Sequence, residues 1–151
     1  MLTRKTEDYL EMILDLTDEK GYARTKDLAA KMKVKSPSVT EMLGKLSREG
    51  LVVYEKYGGT RLTSEGLSMA KKIKKRHEIF ERFLKIIFVS DKVAGKDACI
   101  MEHHLDPETN RQLSRFVSFV NGFGRRPEFI NHFERFCKTG KLPKCIREVK
   151  K

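Results

Sequence analysis

At residue 51 the periodicity of this chain changes, and that change constrains its fold more than any other feature. Up to Gly50 the apolar residues recur at three- and four-residue intervals. From there LVVYEKYGGTRLTS (51–64) carries strand-prone residues on both sides of Tyr57-Gly58-Gly59, which predicts a β-hairpin. Three helices are expected ahead of it. In the first, Tyr9, Leu10, Ile13 and Leu14 form an apolar stripe, Thr6 is the expected N-cap and Gly21 the stop. A short second helix has Thr25 as its cap and Leu28, Ala29 and Met32 facing inward. The third, SPSVTEMLGKLSREG, has Ser36 as N-cap, Pro37 at the first helical position and Gly50 beyond its end, with Val39, Met42, Leu43 and Leu46 as its buried stripe. Helix, helix, capped helix, hairpin is the order of a winged helix-turn-helix. In that arrangement the third helix enters the major groove and the hairpin touches the flanking backbone.

The polar face of the third helix suits that role. Ser36, Pro37, Ser38, Thr40, Glu41 and Lys45 lie off its apolar stripe or at its start, where side chains reach base edges. Lys35, Lys56 and Arg61 flank them and suit phosphate contacts, which orient a protein without reading sequence. Charge supports a polyanion partner. Residues 21–76 hold fourteen Lys/Arg against five Asp/Glu, a balance of +9 within a chain of net charge +11. Double-stranded DNA is therefore the expected partner.

From Ser64 a long helix is expected to about Phe88, its stripe running through Leu67, Ala70, Ile73, His77, Phe80, Leu84 and Ile87. The basic run KKIKKR (71–76) within it fits a second phosphate-facing patch or a solvated face. Further helices are expected around DKVAGKDACIMEHHL, with Gly95 as a weak point, after the cap signal Asp106-Pro107, and from Arg126-Pro127 to just before Gly140. The fold class is thus mainly α: an N-terminal winged helix-turn-helix (1–70), a second, helical domain (71–140) and a tail (141–151). Its 151 residues suffice for one ordinary domain or two small ones sharing a core. No apolar run approaches membrane-spanning length and the start lacks a signal-peptide core, so the cytoplasm is expected. Three cysteines, an odd number, argue against a disulfide framework there. His132, Cys137 and Cys145 lack the tight pairing that small zinc sites favour and read as ordinary residues.

The stretch DACIMEHHL (97–105) gathers a thiol, two carboxylates and two imidazoles. On a helix Cys99, Glu102 and His103 share one face at i, i+3 and i+4, while His104 points elsewhere. Asp8 and Glu11 stand at i, i+3 beside the apolar stripe of the opening helix, and His77 lies inside the stripe of the long one. Three helices each offering inward donors is how helical bundles build metal sites. Convergence of Asp8, Glu11 and Glu102 without a cation would carry a cost in repulsion, which is the physical reason to expect a metal.

With these residues in place, the sequence resembles the diphtheria-toxin-repressor and manganese-transport-regulator family of metal-activated repressors. The resemblance covers nearly all of residues 4–120. It is carried by TEDYLEMI (6–13), SPSVTEMLGKL (36–46), YEKYGGTRLT (54–63), RHEIFERFL (76–84) and CIMEHHL (99–105). It implies a homodimer whose helices after the wing dimerise and bind metal. It also implies Asp8, Glu11, His77, Cys99, Glu102 and His103 as ligands, and Lys35, Pro37, Ser38, Thr40 and Glu41 as the base-proximal part of the recognition helix. The chain departs from both branches of the family. Manganese-type members share Asp8 and Glu11 but have a carboxylate in place of Cys99. Iron-type members share the cysteine but usually have methionine in place of Asp8, and a histidine where Gly95 stands here.

A thiolate adds more for later divalent metals than for Mn²⁺, so Cys99 leads to the expectation of Fe(II), with Mn(II) the alternative and Co(II), Ni(II) or Zn(II) able to act in vitro. The expected function is a metal-activated DNA-binding repressor of metal homeostasis, in which an ion held between the opening helix and the later helices fixes the reading heads for DNA. Two other readings are a winged-helix regulator sensing a redox signal through Cys99, and a metalloenzyme. The second has no substrate-pocket signature and no general base beyond the ligands, so the chain is not expected to be an enzyme.

Overall fold

The computed structural model describes residues 2–143. Its elements are α1 (Arg4–Lys20), α2 (Thr25–Met32), α3 (Ser36–Arg48), β1 (Val52–Glu55), β2 (Gly59–Leu62), α4 (Ser64–Ile86), α5 (Asp91–His104), α6 (Pro107–Asn121) and α7 (Glu128–Thr139). The chain divides into two compact units between Lys75 and Arg76. No helix among the described residues is long and apolar enough to cross a membrane.

The first unit closes around one core. Tyr9, Leu10, Ile13 and Leu16 of α1, Leu28 of α2, and Val39, Leu43 and Leu46 of α3 are wholly buried together, with Leu51 and Val52 at the entry to the hairpin. The helix starts differ from the sequence expectation by one to three residues. Thr3, not Thr6, caps α1: its Oγ1 accepts from the Thr6 backbone N–H at 3.3 Å. Arg24 and Lys35 are the extended residues before α2 and α3, so Thr25 and Ser36 are already helical and Pro37 lies one position further in. Gly21 ends α1 with φ 82°, a left-handed conformation that glycine adopts without a Cβ penalty.

β1 and β2 pair antiparallel with Val52 opposite Leu62 and Glu55 opposite Gly59, so the connection is Lys56-Tyr57-Gly58. A two-stranded hairpin alone is marginal in water. This one has support: Thr60 exchanges two backbone hydrogen bonds with Ala23, N–H to O distances 2.7 and 3.1 Å, which seats β2 against the turn between α1 and α2. At its other end the hairpin runs into α4, where Gly66 packs directly on the Leu51 carbonyl; a Cβ there has no space.

The second unit is helical throughout its described residues. Phe80 and Leu84 of α4 bury against Ala94 and Ala98 of α5, with Met101, Leu105 and Leu113 packed around them. Two small alanines on α5 allow the large α4 side chains to interdigitate. Phe83 and Phe116 meet edge to face at 5.8 Å, joining α4 to α6. Gly95 does not break α5; it is simply helical, with open space where a side chain would lie. Phe88 occupies the position just past α4 with φ 69°. Cys145 and most of the expected tail lie outside the described residues.

Candidate metal centre and nucleic-acid interface

α5 presents Ala94, Ala98 and Glu102 on one buried stripe, four residues apart. Glu102 is the one carboxylate in it and is 2 % exposed. On α4, His77 stands one turn before Phe80 and reaches the same place: its Nδ1 is 3.2 Å from Glu102 Oε2. His103 Nε2 is 3.2 Å from Glu102 Oε1, and that imidazole is almost wholly buried. These separations are short, yet neither is a hydrogen bond. Both Glu102 oxygens are buried without a hydrogen-bond partner among the described residues. A buried carboxylate in that condition is costly.

A cation resolves the geometry. Donors that hold one ion at roughly 2.1 Å sit about 3 Å from their neighbours and aim their lone pairs at the ion, not at each other. Two imidazole nitrogens flanking a carboxylate at 3.2 Å, close but not hydrogen-bonded to it, fit that description. Cys99 lies one turn earlier on α5 and is half-buried, within reach of the same helix face. His104 is exposed. In the first unit, Asp8 and Glu11 are half-buried in the first half of α1, on either side of the buried pair Tyr9 and Leu10.

The expected DNA-reading face is open. Lys35, Ser36, Pro37, Ser38, Thr40 and Glu41 are all exposed, opposite the buried Val39, Met42, Leu43 and Leu46. The Thr40 hydroxyl donates to the Ser36 carbonyl at 3.1 Å, which leaves its oxygen lone pairs able to accept. Lys45 is half-buried, 3.9 Å from Glu49 one turn on. Lys56 and Arg61 are exposed on the wing. The basic run on α4 is divided in its roles. Lys74 pairs with Asp15 at 2.7 Å and with Asp18 at 3.8 Å, whereas Lys71, Lys72 and Lys75 are exposed.

The sequence pattern does not single out Tyr57. It is 93 % exposed at the wing tip, with the Lys56 ammonium 5.7 Å from its ring centroid. The ring and the neighbouring cation are both open to solvent at the hairpin turn. Its signal was present in the sequence as an apolar ring placed in a turn between Lys56 and Gly58.

Residues 1–60 match the family described as iron dependent repressor, N-terminal DNA binding domain, and residues 63–122 match iron dependent repressor, metal binding and dimerisation domain. The chain belongs to the iron-dependent repressor family. It is 45% identical over 135 residues to the HTH-type transcriptional regulator MntR of Bacillus subtilis (strain 168), covering 89% of this chain and 95% of that protein. The MntR of Geobacillus kaustophilus (strain HTA426) is 36% identical over 140 residues, covering 93% and 99%. The solved structure of the manganese regulator SloR superposes with a TM-score of 0.65 at 30% identity, over 76% of this chain and 54% of that one. The present chain therefore spans about half the length of that structure. As a member of this family the chain is a metal-dependent, DNA-binding transcriptional repressor and not an enzyme, with a DNA operator and a second copy of itself as partners.

Proposed function

We propose that this repressor responds to Mn(II), with Asp8, Glu11, His77, Cys99, Glu102 and His103 as its ligands. The observation that carries the metal site is Glu102, buried between His77 and His103 at 3.2 Å from each without a hydrogen bond to either. The roles of Asp8 and Glu11 are carried from the family resemblance. A bound metal would supply positive charge opposite the Glu102 carboxylate. The protein's own part is to hold the two imidazoles beside Glu102, with α4 and α5 fixed by Phe80, Leu84, Ala94 and Ala98.

The choice of Mn(II) over Fe(II) draws on the relatives. One similar regulator is named for manganese and two others are called MntR. Five of the six proposed ligands are carboxylates or imidazoles, and carboxylates suit Mn²⁺. Fe(II) is the second reading, favoured by the Cys99 thiol. Affinity rises along the divalent series whichever is right, so availability in the cell must select the ion.

For DNA, Lys35, Ser36, Pro37, Ser38, Thr40, Glu41 and Lys45 are proposed on the recognition helix, with Lys56 and Arg61 on phosphate. Metal and DNA must tighten each other's binding by the same factor, and a coupling of ~1–3 kcal/mol gives a 5- to 150-fold response. The test is anaerobic titration with Mn(II) and Fe(II) while operator binding is followed. Activation by Mn(II) that is lost in Glu102→Ala and His103→Ala is expected. Full operator binding in the presence of a chelator would overturn the reading and favour a redox signal through Cys99.

A further inference from the structure

Where the end of α4, the end of α6 and the start of α7 come together there is a cavity of about 430 Å³. Ile86, Val120 and Ile130 make its apolar wall; Lys85, Arg125 and Arg126 bring cations to it, and no acid among the described residues lines it. The three cations differ in what already engages them. Lys85 is held by Glu81 at 2.7 Å and Asp91 at 3.3 Å. Arg126 pairs with Glu134 at 2.8 Å and lies 4.7 Å above the Phe88 ring. Arg125 has no acid and no ring partner among the described residues.

The hollow therefore combines an apolar surface with one positive charge that no acid among the described residues neutralises. Phe88, which also lines it, holds a left-handed backbone that bulky residues rarely adopt. Strain of that kind collects at ligand clamps and switch regions. Bulk water would occupy such a space at roughly fourteen molecules, so a ligand of about a dozen heavy atoms fits it.

We propose that this cavity binds a small organic monocarboxylate. Arg125 takes the carboxylate through two parallel N–H donors, and the ring or short chain behind it lies on Ile86, Val120 and Ile130. A bare inorganic anion would leave that apolar wall in water, and a neutral ring would leave Arg125 unused.

The probe is 2-naphthoate, titrated calorimetrically into the full chain, with 2-naphthamide and inorganic phosphate as controls. A Kd of about 0.1–1 mM is expected for 2-naphthoate, given the affinity per atom of small ligands. Arg125→Ala should weaken it at least tenfold, Arg125→Lys by less, and Arg135→Ala, on the exposed side of α7, not at all. Equal binding of 2-naphthamide or phosphate, or an Arg125→Ala variant that binds like the parent, overturns the proposal. So does binding that in sedimentation tracks dissociation of the homodimer, because the cavity would then be a seat for the second copy. Metal-dependent operator binding by Arg125→Ala is expected to match the parent, so failure here and failure of the metal-repressor reading are separable.

Discussion

Glu102 Oε2 and His77 Nδ1 lie 3.2 Å apart across the α4–α5 contact, at hydrogen-bond distance but without hydrogen-bond alignment. The relationship gives opposite expectations for the metal-free and metal-bound protein. In Glu102→Gln the shape is kept and the buried charge is removed. The metal-free variant should be as stable as the parent or more so, by up to ~1–3 kcal/mol, because a neutral amide is cheaper to bury than a carboxylate. Its Mn(II) affinity should fall at least tenfold. Chemical denaturation with a chelator, and again with excess Mn(II), separates the two effects; a variant destabilised without metal and unimpaired in binding it would contradict the assignment.

Two glycines should respond to alanine in opposite directions. Gly95 lies in the interior of α5 with open space around the missing side chain, so Gly95→Ala should stabilise by ~0.5–1 kcal/mol. Gly66 rests on the Leu51 carbonyl, and a Cβ there would have to displace backbone. Gly66→Ala should destabilise by several kcal/mol, on the order of the worst core overpacking. Urea unfolding of both variants in the same buffer measures the contrast.

At Phe88 the usual order of alanine and glycine should reverse. Its φ of 69° favours glycine, while its ring stacks on Phe133 at 5.9 Å and takes Arg126 on its face. Phe88→Ala keeps the strain and loses both contacts. Phe88→Gly loses the contacts but relieves the strain, so it should be the more stable of the two by ~1–2 kcal/mol. Melting temperatures of the two variants give the sign directly.

Glu134 links α7 to its surroundings and makes a pH prediction. The Lys138 ammonium hydrogen-bonded to it, helped by Arg126, holds its carboxyl below the ordinary glutamate value of 4.5. A carboxyl lowered in the folded state adds stability above its unfolded pKa and loses it as pH falls through the folded one. Its contribution is therefore complete near neutrality and fades below the ordinary glutamate range. Stability measured from pH 6 to pH 3 should fall less steeply in Glu134→Gln than in the parent; the group is partly open to solvent, which screens the pair, so the difference is small. Identical slopes would show that the pair adds nothing.

The hairpin and the third helix were legible because a change of period and a Pro-plus-Gly frame are local signals. Helix starts were less so. Thr3 and Thr6 both offer a hydroxyl, and only the folded turn shows that Thr3 Oγ1 accepts from the Thr6 N–H. The spacing of Cys99, Glu102 and His103 could be read from the helical repeat. The depth at which Glu102 is buried, and the misalignment of the two imidazoles toward it, could not, because both depend on how α4 packs on α5. Phe88 shows the same limit more sharply. Nothing local asks for a phenylalanine in a left-handed turn; Arg126 and Phe133, some forty residues on, hold it there.

The paired amides and carbonyls of Ala23 and Thr60 make the wing a lever with a fixed root and a free end. Any tilt of the α1–α2 corner is carried along β2 toward Tyr57. Ala23 is itself wholly buried, so a larger residue there would strain the core and displace the root of the wing together.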